Sequence, residues 1–167
     1  MTLRLILTRH AKSDWADPLM DDHDRPLNKR GRKSATAIGA WLAARGVVPD
    51  IAFVSSAERT RETWARIARG FDKRVPTAFR DDLYHAEPDA MINALRGASG
   101  GTVMMVGHNP GAAFFARALL AQPPADARFD RYPTGATAVM EFEIDEWPAL
   151  TWGTGVLTGL VFARDLV

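Results

Sequence analysis

Three apolar runs constrain the fold of this chain more than anything else in it: LRLIL at residues 3–7, IAFV at 51–54 and TVMMV at 102–106. None alternates apolar with polar residues, so each reads as a strand covered on both faces, as strands of a parallel α/β sheet are. Each run also ends in polar chemistry. The first continues into Arg9 and His10, and the third passes through Gly107 into His108. The second leads through Ser55 and Ser56 into a helical pattern whose first turn carries Arg59. Taken alone, Arg9 and His10 fit equally well as a polar pair that keeps a strand end soluble. In open parallel sheets, however, ligands bind at the carboxyl ends of the strands. If the three strands are neighbours, Arg9, His10, Arg59 and His108 share a pocket.

Between the strands the pattern turns helical. One helix is predicted from an N-cap at Asn28 to Gly46, with Ala35, Ile38, Trp41, Leu42 and Leu27 as its inward stripe. AERTRETWARIA reads as a second helix with Ser56 as N-cap. KRVPTAF reads as a short edge strand, because Pro76 cannot donate to a sheet ladder on both sides. A third helix starts with Glu87 as cap and Pro88 at its first position, and Asn109 with Pro110 opens a fourth. AQPPADARFDRYP reads as a surface loop, GATAVMEFEI as a half-exposed antiparallel strand, and GVLTGLVFARDL as the last strand. Strands alternating with helices in this order predict a three-layer α/β/α sandwich, with a mostly parallel central sheet and an antiparallel flank. No repeat or linker divides residues 1–167, which read as one domain.

Composition narrows the function classes. The net charge is +1 and the basic residues are dispersed among acids, so a nucleic-acid partner is not expected. With no cysteine, thiolate catalysis and cysteine-based metal sites are excluded. No stretch has the length or cleavage site of a signal peptide or a membrane span, and a cytoplasmic location with no membrane association is expected.

Two arginines beside two histidines suit an anion rather than a metal, because guanidinium repels cations and has no lone pair to offer. Arginine binds phosphate through paired, charge-assisted hydrogen bonds, and helix N-termini near Ser56 and Asn109 add backbone donors. A zinc site would need carboxylates beside His10 and His108, whose neighbours here are Arg9 and Asn109. The acidic cluster DDHDR around His23 lacks recognised ligand spacing and reads as a polar surface loop.

LTRHAKSDW, SSAERTRETW and MMVGHNPG together resemble the three core motifs of the histidine phosphatase superfamily, which also contains cofactor-dependent phosphoglycerate mutases. RHAKS in place of the commoner Arg-His-Gly, with RPLNKRGRKSA and LYHA, is similar to the SixA-type phosphohistidine phosphatase branch. The resemblance implies a phosphoglycerate mutase-like fold and a reaction without metal or cofactor. It implies His10 as the nucleophile, forming a phosphohistidine enzyme that water hydrolyses, with Arg9, Arg59 and His108 binding the non-bridging oxygens. Attack needs a neutral imidazole, and the cations of Arg9 and Arg59 are expected to lower the His10 pKa while a backbone carbonyl holds its other ring nitrogen. Ser13 is a further candidate phosphate donor, or equally a hydroxyl bonded to its own loop. Asn109 is expected to be a helix cap first and a phosphate contact second. Arg61, two residues beyond Arg59 on a helix, is assigned to the surface, and Lys12 to solvent.

One departure bears on substrate. Many members of the superfamily carry a glutamate as general acid where this chain has DDLYHAEPD, which sets His85 near that position and Glu87 two residues on. Weak acid machinery suits a phosphoramidate, whose protonated imidazole leaves readily, better than an alkoxide ester. The expected substrate is therefore a phosphorylated protein such as a phosphotransfer domain, with a small phosphate ester as the alternative and a phosphate-binding module without turnover as a remoter one. Trp15, Tyr84 and Tyr132 are expected to pack, with Trp15 the best placed for the pocket rim.

Overall fold

The computed structural model describes Met1–Val167. Its single sheet has six strands: β1 (Leu3–Arg9), β2 (Ile51–Ser55), β3 (Thr77–Arg80), β4 (Thr102–Gly107), β5 (Thr137–Phe142) and β6 (Val156–Val161), ordered β3-β2-β4-β1-β5-β6. β1, β2 and β3 form the parallel part around β4, while β5 runs antiparallel to both β1 and β6. The three apolar runs are thus adjacent, with β4 between the other two, and their carboxyl ends lie side by side.

Strand periodicity assigns the layers. Ile6, Met104 and Val106 point to one face and pack with Ala35, Ile38 and Leu42 of α1 (Lys29–Ala44) and with Trp64 and Ile67 of α2 (Glu58–Ala68). Leu5, Leu7, Val103 and Met105 point to the other, against Met91 and Leu95 of α3 (Pro88–Arg96) and Phe115 and Leu119 of α4 (Gly111–Leu119). This is the expected α/β/α sandwich.

Four local expectations are corrected. β5 is buried rather than half-exposed, because β1 and β6 flank it and both its faces are covered. The segment expected as surface loop contains a short helix, α5 (Ala127–Arg131), and turns Phe129 and Tyr132 fully inward. The Tyr132 hydroxyl donates to the Leu7 carbonyl, which allows a phenol to be buried without an unpaired polar atom. Trp41 is only half-buried, with the Arg45 guanidinium stacked over its ring. At α2 the N-cap position belongs to Ala57, not Ser56, whose hydroxyl is spent on His23 instead. Asn28 does cap α1, its side chain accepting from the Gly31 amide at 2.8 Å.

Two glycines fix how loops meet helices. A Cβ on Gly31 would stand 2.1 Å from the Lys12 carbonyl oxygen, and one on Gly111 would stand 2.0 Å from that of Ala86. The loop after β1 is therefore seated directly on the start of α1, and the segment carrying His85 on the start of α4.

Candidate active site

The carboxyl ends of β1, β2 and β4 open into a cavity of about 380 Å³, lined by Arg9, His10, Arg59, His85 and His108 among others. Ser13 and Asn109 also line it.

His10 follows the last residue of β1. Its amide donates to the Gly107 carbonyl at 3.0 Å, so the loop leaves the sheet pinned to the neighbouring strand. The next amide, of Ala11, donates to Thr63 of α2. The ring Nδ1 is 2.7 Å from the Ala11 carbonyl oxygen, which can only accept. Nδ1 therefore carries the proton, and Nε2 keeps its lone pair. Burial, and secondarily Arg9 and Arg59, push the His10 pKa down to about 4, against the upward pull of the Ala11 hydrogen bond and of Asp22. The expected depression is present, but desolvation is its main cause rather than the two cations.

His108 is held from β2. Its Nε2 lies 2.7 Å from the Ser55 hydroxyl, and the two rings, His10 and His108, are 5.4 Å apart between centroids. Burial first, then Arg59, His10 and His85, push the His108 pKa down to about 2, so the imidazole is neutral. The Ser55 hydroxyl has no other acceptor and donates to Nε2, which places the His108 proton on Nδ1. That Nδ1 is buried without a partner in the protein.

Arg59 is 5% exposed and gives one N–H to the Asp22 carbonyl at 2.7 Å and another to the Asp22 carboxylate at 2.9 Å. Arg9 gives one to the Tyr132 carbonyl at 3.3 Å. A guanidinium has five N–H groups, so both keep donors for an anion.

Asp22 was not legible as a site residue. DDHDR, expected to be a surface loop, forms a single 3-10 turn at Asp22–Asp24 whose first residue lines the cavity. The carboxylate of Asp22 accepts from Arg59, from the Tyr84 hydroxyl at 2.6 Å and from the His85 side chain at 3.1 Å. Burial opposes its ionisation, but the bonds from Tyr84, Arg59 and His85 outweigh this and hold the carboxyl well below its ordinary range. No sequence signal marked it: Arg25, the last residue of the cluster, is 3% exposed and donates to the carbonyls of Asp14, Asp17, Pro18 and Met20, folding the loop onto the site.

Tyr84, expected to pack, stands beside His85 and His108 at ring separations of 4.1 and 5.5 Å. Trp15 does sit at the rim, 63% exposed, with Arg25 stacked on its ring and its indole N–H on the Ser13 hydroxyl. Ser13 thus accepts from Trp15 and keeps its own proton free. Asn109 is not the N-cap of α4, a position held by Pro110. Its side-chain amide donates to the Arg131 and Tyr132 carbonyls while its oxygen accepts from the Ala113 amide, so it ties α4 to α5. Glu87 occupies the cap position of α3, but its carboxylate makes no cap hydrogen bond and lies outside the cavity. Arg61 reaches away to the Ser56 carbonyl and the Phe79 ring, as expected. No set of three or more histidines, aspartates and glutamates converges at metal-binding range.

The cavity floor thus gathers two arginines and an imidazole nitrogen with a free lone pair at the carboxyl edge of the sheet. The model of the histidine phosphatase superfamily (branch 1) matches residues 5–87, and the chain belongs to that superfamily. Uncharacterized protein Rv1276c of Mycobacterium tuberculosis is 33% identical over 163 residues, covering 93% of this chain and 99% of the relative. Within the superfamily the chain is of the SixA type. The structure of a candidate phosphohistidine phosphatase SixA from Nakamurella multipartitia superposes with a TM-score of 0.81 at 28% identity, over 97% of this chain and 96% of that one. A counterpart from Agrobacterium tumefaciens gives 0.79 at 26%, over 96% and 97%. Membership and these likenesses support phosphatase activity. No helix is long and apolar enough to cross a membrane.

Proposed function

We propose that this chain, acting as one histidine phosphatase domain, hydrolyses phosphohistidine on a protein through a covalent phosphohistidine on His10. The observation that carries the reading is the pairing of protonation states at the floor. His10 presents a neutral Nε2 lone pair, and His108, Arg9 and Arg59 present only donors. Nε2 attacks phosphorus in line as the bond to the leaving nitrogen breaks. That nitrogen takes the bonding electron pair, and because its ring is already protonated at the other nitrogen it departs as neutral imidazole. Arg9, Arg59 and the His108 Nδ1–H meet the three non-bridging oxygens, fixed in advance of the charge they stabilise. In the second half-reaction water attacks the phosphoryl group on His10, inorganic phosphate leaves, and Nε2 regains its lone pair. Ser13 is a further donor to the phosphate from the rim. Asn109 contributes by holding the loop after His108.

A second reading, a small-molecule phosphomonoesterase, is favoured by one observation: His85 stands at the cavity with its Nε2 on Asp22, where an ester's leaving oxygen would need a proton. Glu87 does not reach that place. Side-by-side rates on a histidine-phosphorylated phosphotransfer domain and on a panel of phosphate esters, for the wild type and His10→Ala, decide between them. Preference for the phosphoprotein, abolished in the variant, is the expected result. A preference for an ester that His85→Ala removes establishes the second reading instead. Both readings are metal-independent, so EDTA leaves the rate unchanged; loss of activity restored by zinc would overturn them together.

A further inference from the structure

Beside the catalytic cavity, and sharing Lys12 and Thr134 with it, lies a second cleft of about 260 Å³ whose cationic lining consists of Lys12, Arg30, Arg128, Arg131 and Arg164. Arg128 is neutralised by Asp126 and Asp165. The other four form no ion pair, and no Asp or Glu side chain lines the cleft. Val167 also borders it. In a protein of net charge +1, four unpaired cations in one concavity are a local concentration of field.

The sequence RPLNKRGRKSA places these charges against the grain. α1 has no acidic residue in its first turn, and Lys29, Arg30, Arg32 and Lys33 crowd the end where the helix dipole is positive and disfavours cations. Arg32 is compensated by Glu62, but Lys29, Arg30 and Lys33 are exposed and unpaired. No Asp or Glu occurs between Arg25 and Pro49. The basic surface runs on from the cleft over Lys29, Lys33 and Arg66, none of which lines the catalytic cavity. Gly31, jammed against the Lys12 backbone, locks this helix end to the loop that carries His10.

We propose that the cleft and the exposed start of α1 form a docking surface for an acidic face of the phosphorylated protein, orienting its phosphohistidine over His10. This rests on the phosphoprotein reading and adds to it the charge of the partner. Docking through unpaired surface cations speeds encounter and weakens with salt, whereas turnover of a small ester at the buried floor does not depend on it.

The test is the charge-reversed variant Arg30→Glu/Lys33→Glu/Arg164→Glu, none of whose residues lines the catalytic cavity. Two of the new carboxylates fall where the helix dipole favours them, so an intact fold is checked by an unchanged or raised thermal midpoint. Substrates are a histidine-phosphorylated phosphotransfer domain with acidic residues around its phosphohistidine, the same domain with those acids made neutral, and two small esters, an aryl phosphate and a bisphosphorylated sugar. The expected result is a KM for the acidic domain raised about 10- to 100-fold at low salt, a much smaller change with the neutralised domain, a flattened salt dependence, and an unchanged kcat/KM for the aryl phosphate. An unchanged KM for the acidic domain, with the wild type active on it, overturns the docking surface and leaves the phosphoprotein reading standing. A loss confined to the bisphosphorylated sugar overturns it in favour of a second phosphate subsite. A wild type that does not turn over either domain overturns both readings.

Discussion

His10, Arg59 and His108 at the cavity floor are 6, 5 and 3% exposed, whereas the side chains of Asp22 and His85 at the rim are 42 and 52% exposed. The floor stands at or just beyond the ends of central strands, and its nitrogens are each assigned a protonation state by a fixed neighbour: Ala11 for His10, Ser55 for His108. The rim comes from a 3-10 turn and from a residue, His85, held in the left-handed region at φ 53°. Its polar groups are tied to one another around a single carboxylate. The difference separates two jobs: the floor meets the phosphoryl group, and the rim sets what approaches it.

If that division holds, the largest effects belong to the floor. His10→Ala should lower turnover by at least ~10³-fold, with inorganic phosphate still binding, measured by single-turnover kinetics and calorimetry. Arg59→Ala should cost about 10²- to 10³-fold and weaken phosphate binding as well, since it removes a charged donor and leaves Asp22 without its partner. Ser55→Ala should cost about 10-fold in kcat with a smaller change in KM, because it frees the His108 proton to sit on Nε2. An NMR titration that still finds His108 protonated on Nδ1 in that variant would remove Ser55 from the argument.

The rim should respond less, and in the opposite direction. Asp22→Asn keeps an oxygen and a carbonyl for Arg59 but removes a negative charge facing the anion, so competitive inhibition by phosphate should tighten by several-fold, on the order of 1 kcal/mol. Weaker inhibition would mean that Asp22 belongs with the floor.

A further signal is in stability, read across pH. Below the ordinary imidazole value of 6.5, the unfolded chain takes up protons that native His10, with its pKa near 4, and His108, near 2, do not. The unfolded state then binds more protons, so stability present above pH 6.5 is lost as pH falls toward 4, at about 1.4 kcal/mol per pH unit for each group. Urea unfolding of His10→Ala should show a shallower slope across that window than the wild type. Identical slopes would mean that His10 titrates normally.

The floor was legible because continuous apolar runs announce buried strands and the residue after each run must stand at a sheet edge. Arg9, His10, Arg59 and His108 follow from that reasoning, and the strand order brings them together as required. At the rim, His85 and Trp15 stand where the sequence put them, but Asp22 was not legible, for a physical reason. Asp22 meets Arg59 and His85 across 37 and 63 residues of sequence, through a turn whose position is set by Arg25 gathering four carbonyls. No local period or spacing encodes such a contact. α5 was missed because prolines and charges dominate its segment, although Phe129 and Tyr132 are what it buries. Ser56 has the right chemistry for a cap, but its hydroxyl pairs with His23; Asn109, one residue before the cap position, still accepts from the Ala113 amide in the first turn of α4, while its side-chain nitrogen reaches the Arg131 and Tyr132 carbonyls.

Trp15 gives the rim an optical meaning. Its indole lies under the Arg25 guanidinium and donates to the hydroxyl of Ser13, which faces the phosphate cavity, while most of the ring remains in water. An anion that recruits the Ser13 hydroxyl polarises the indole N–H, and a partner that covers the rim strips water from the ring. With Trp41, Trp64, Trp147 and Trp152 replaced by phenylalanine, the expected outcome is that the first event changes the intensity of Trp15 emission and the second its wavelength, so that one side chain reports separately on a filled cavity and an occupied surface.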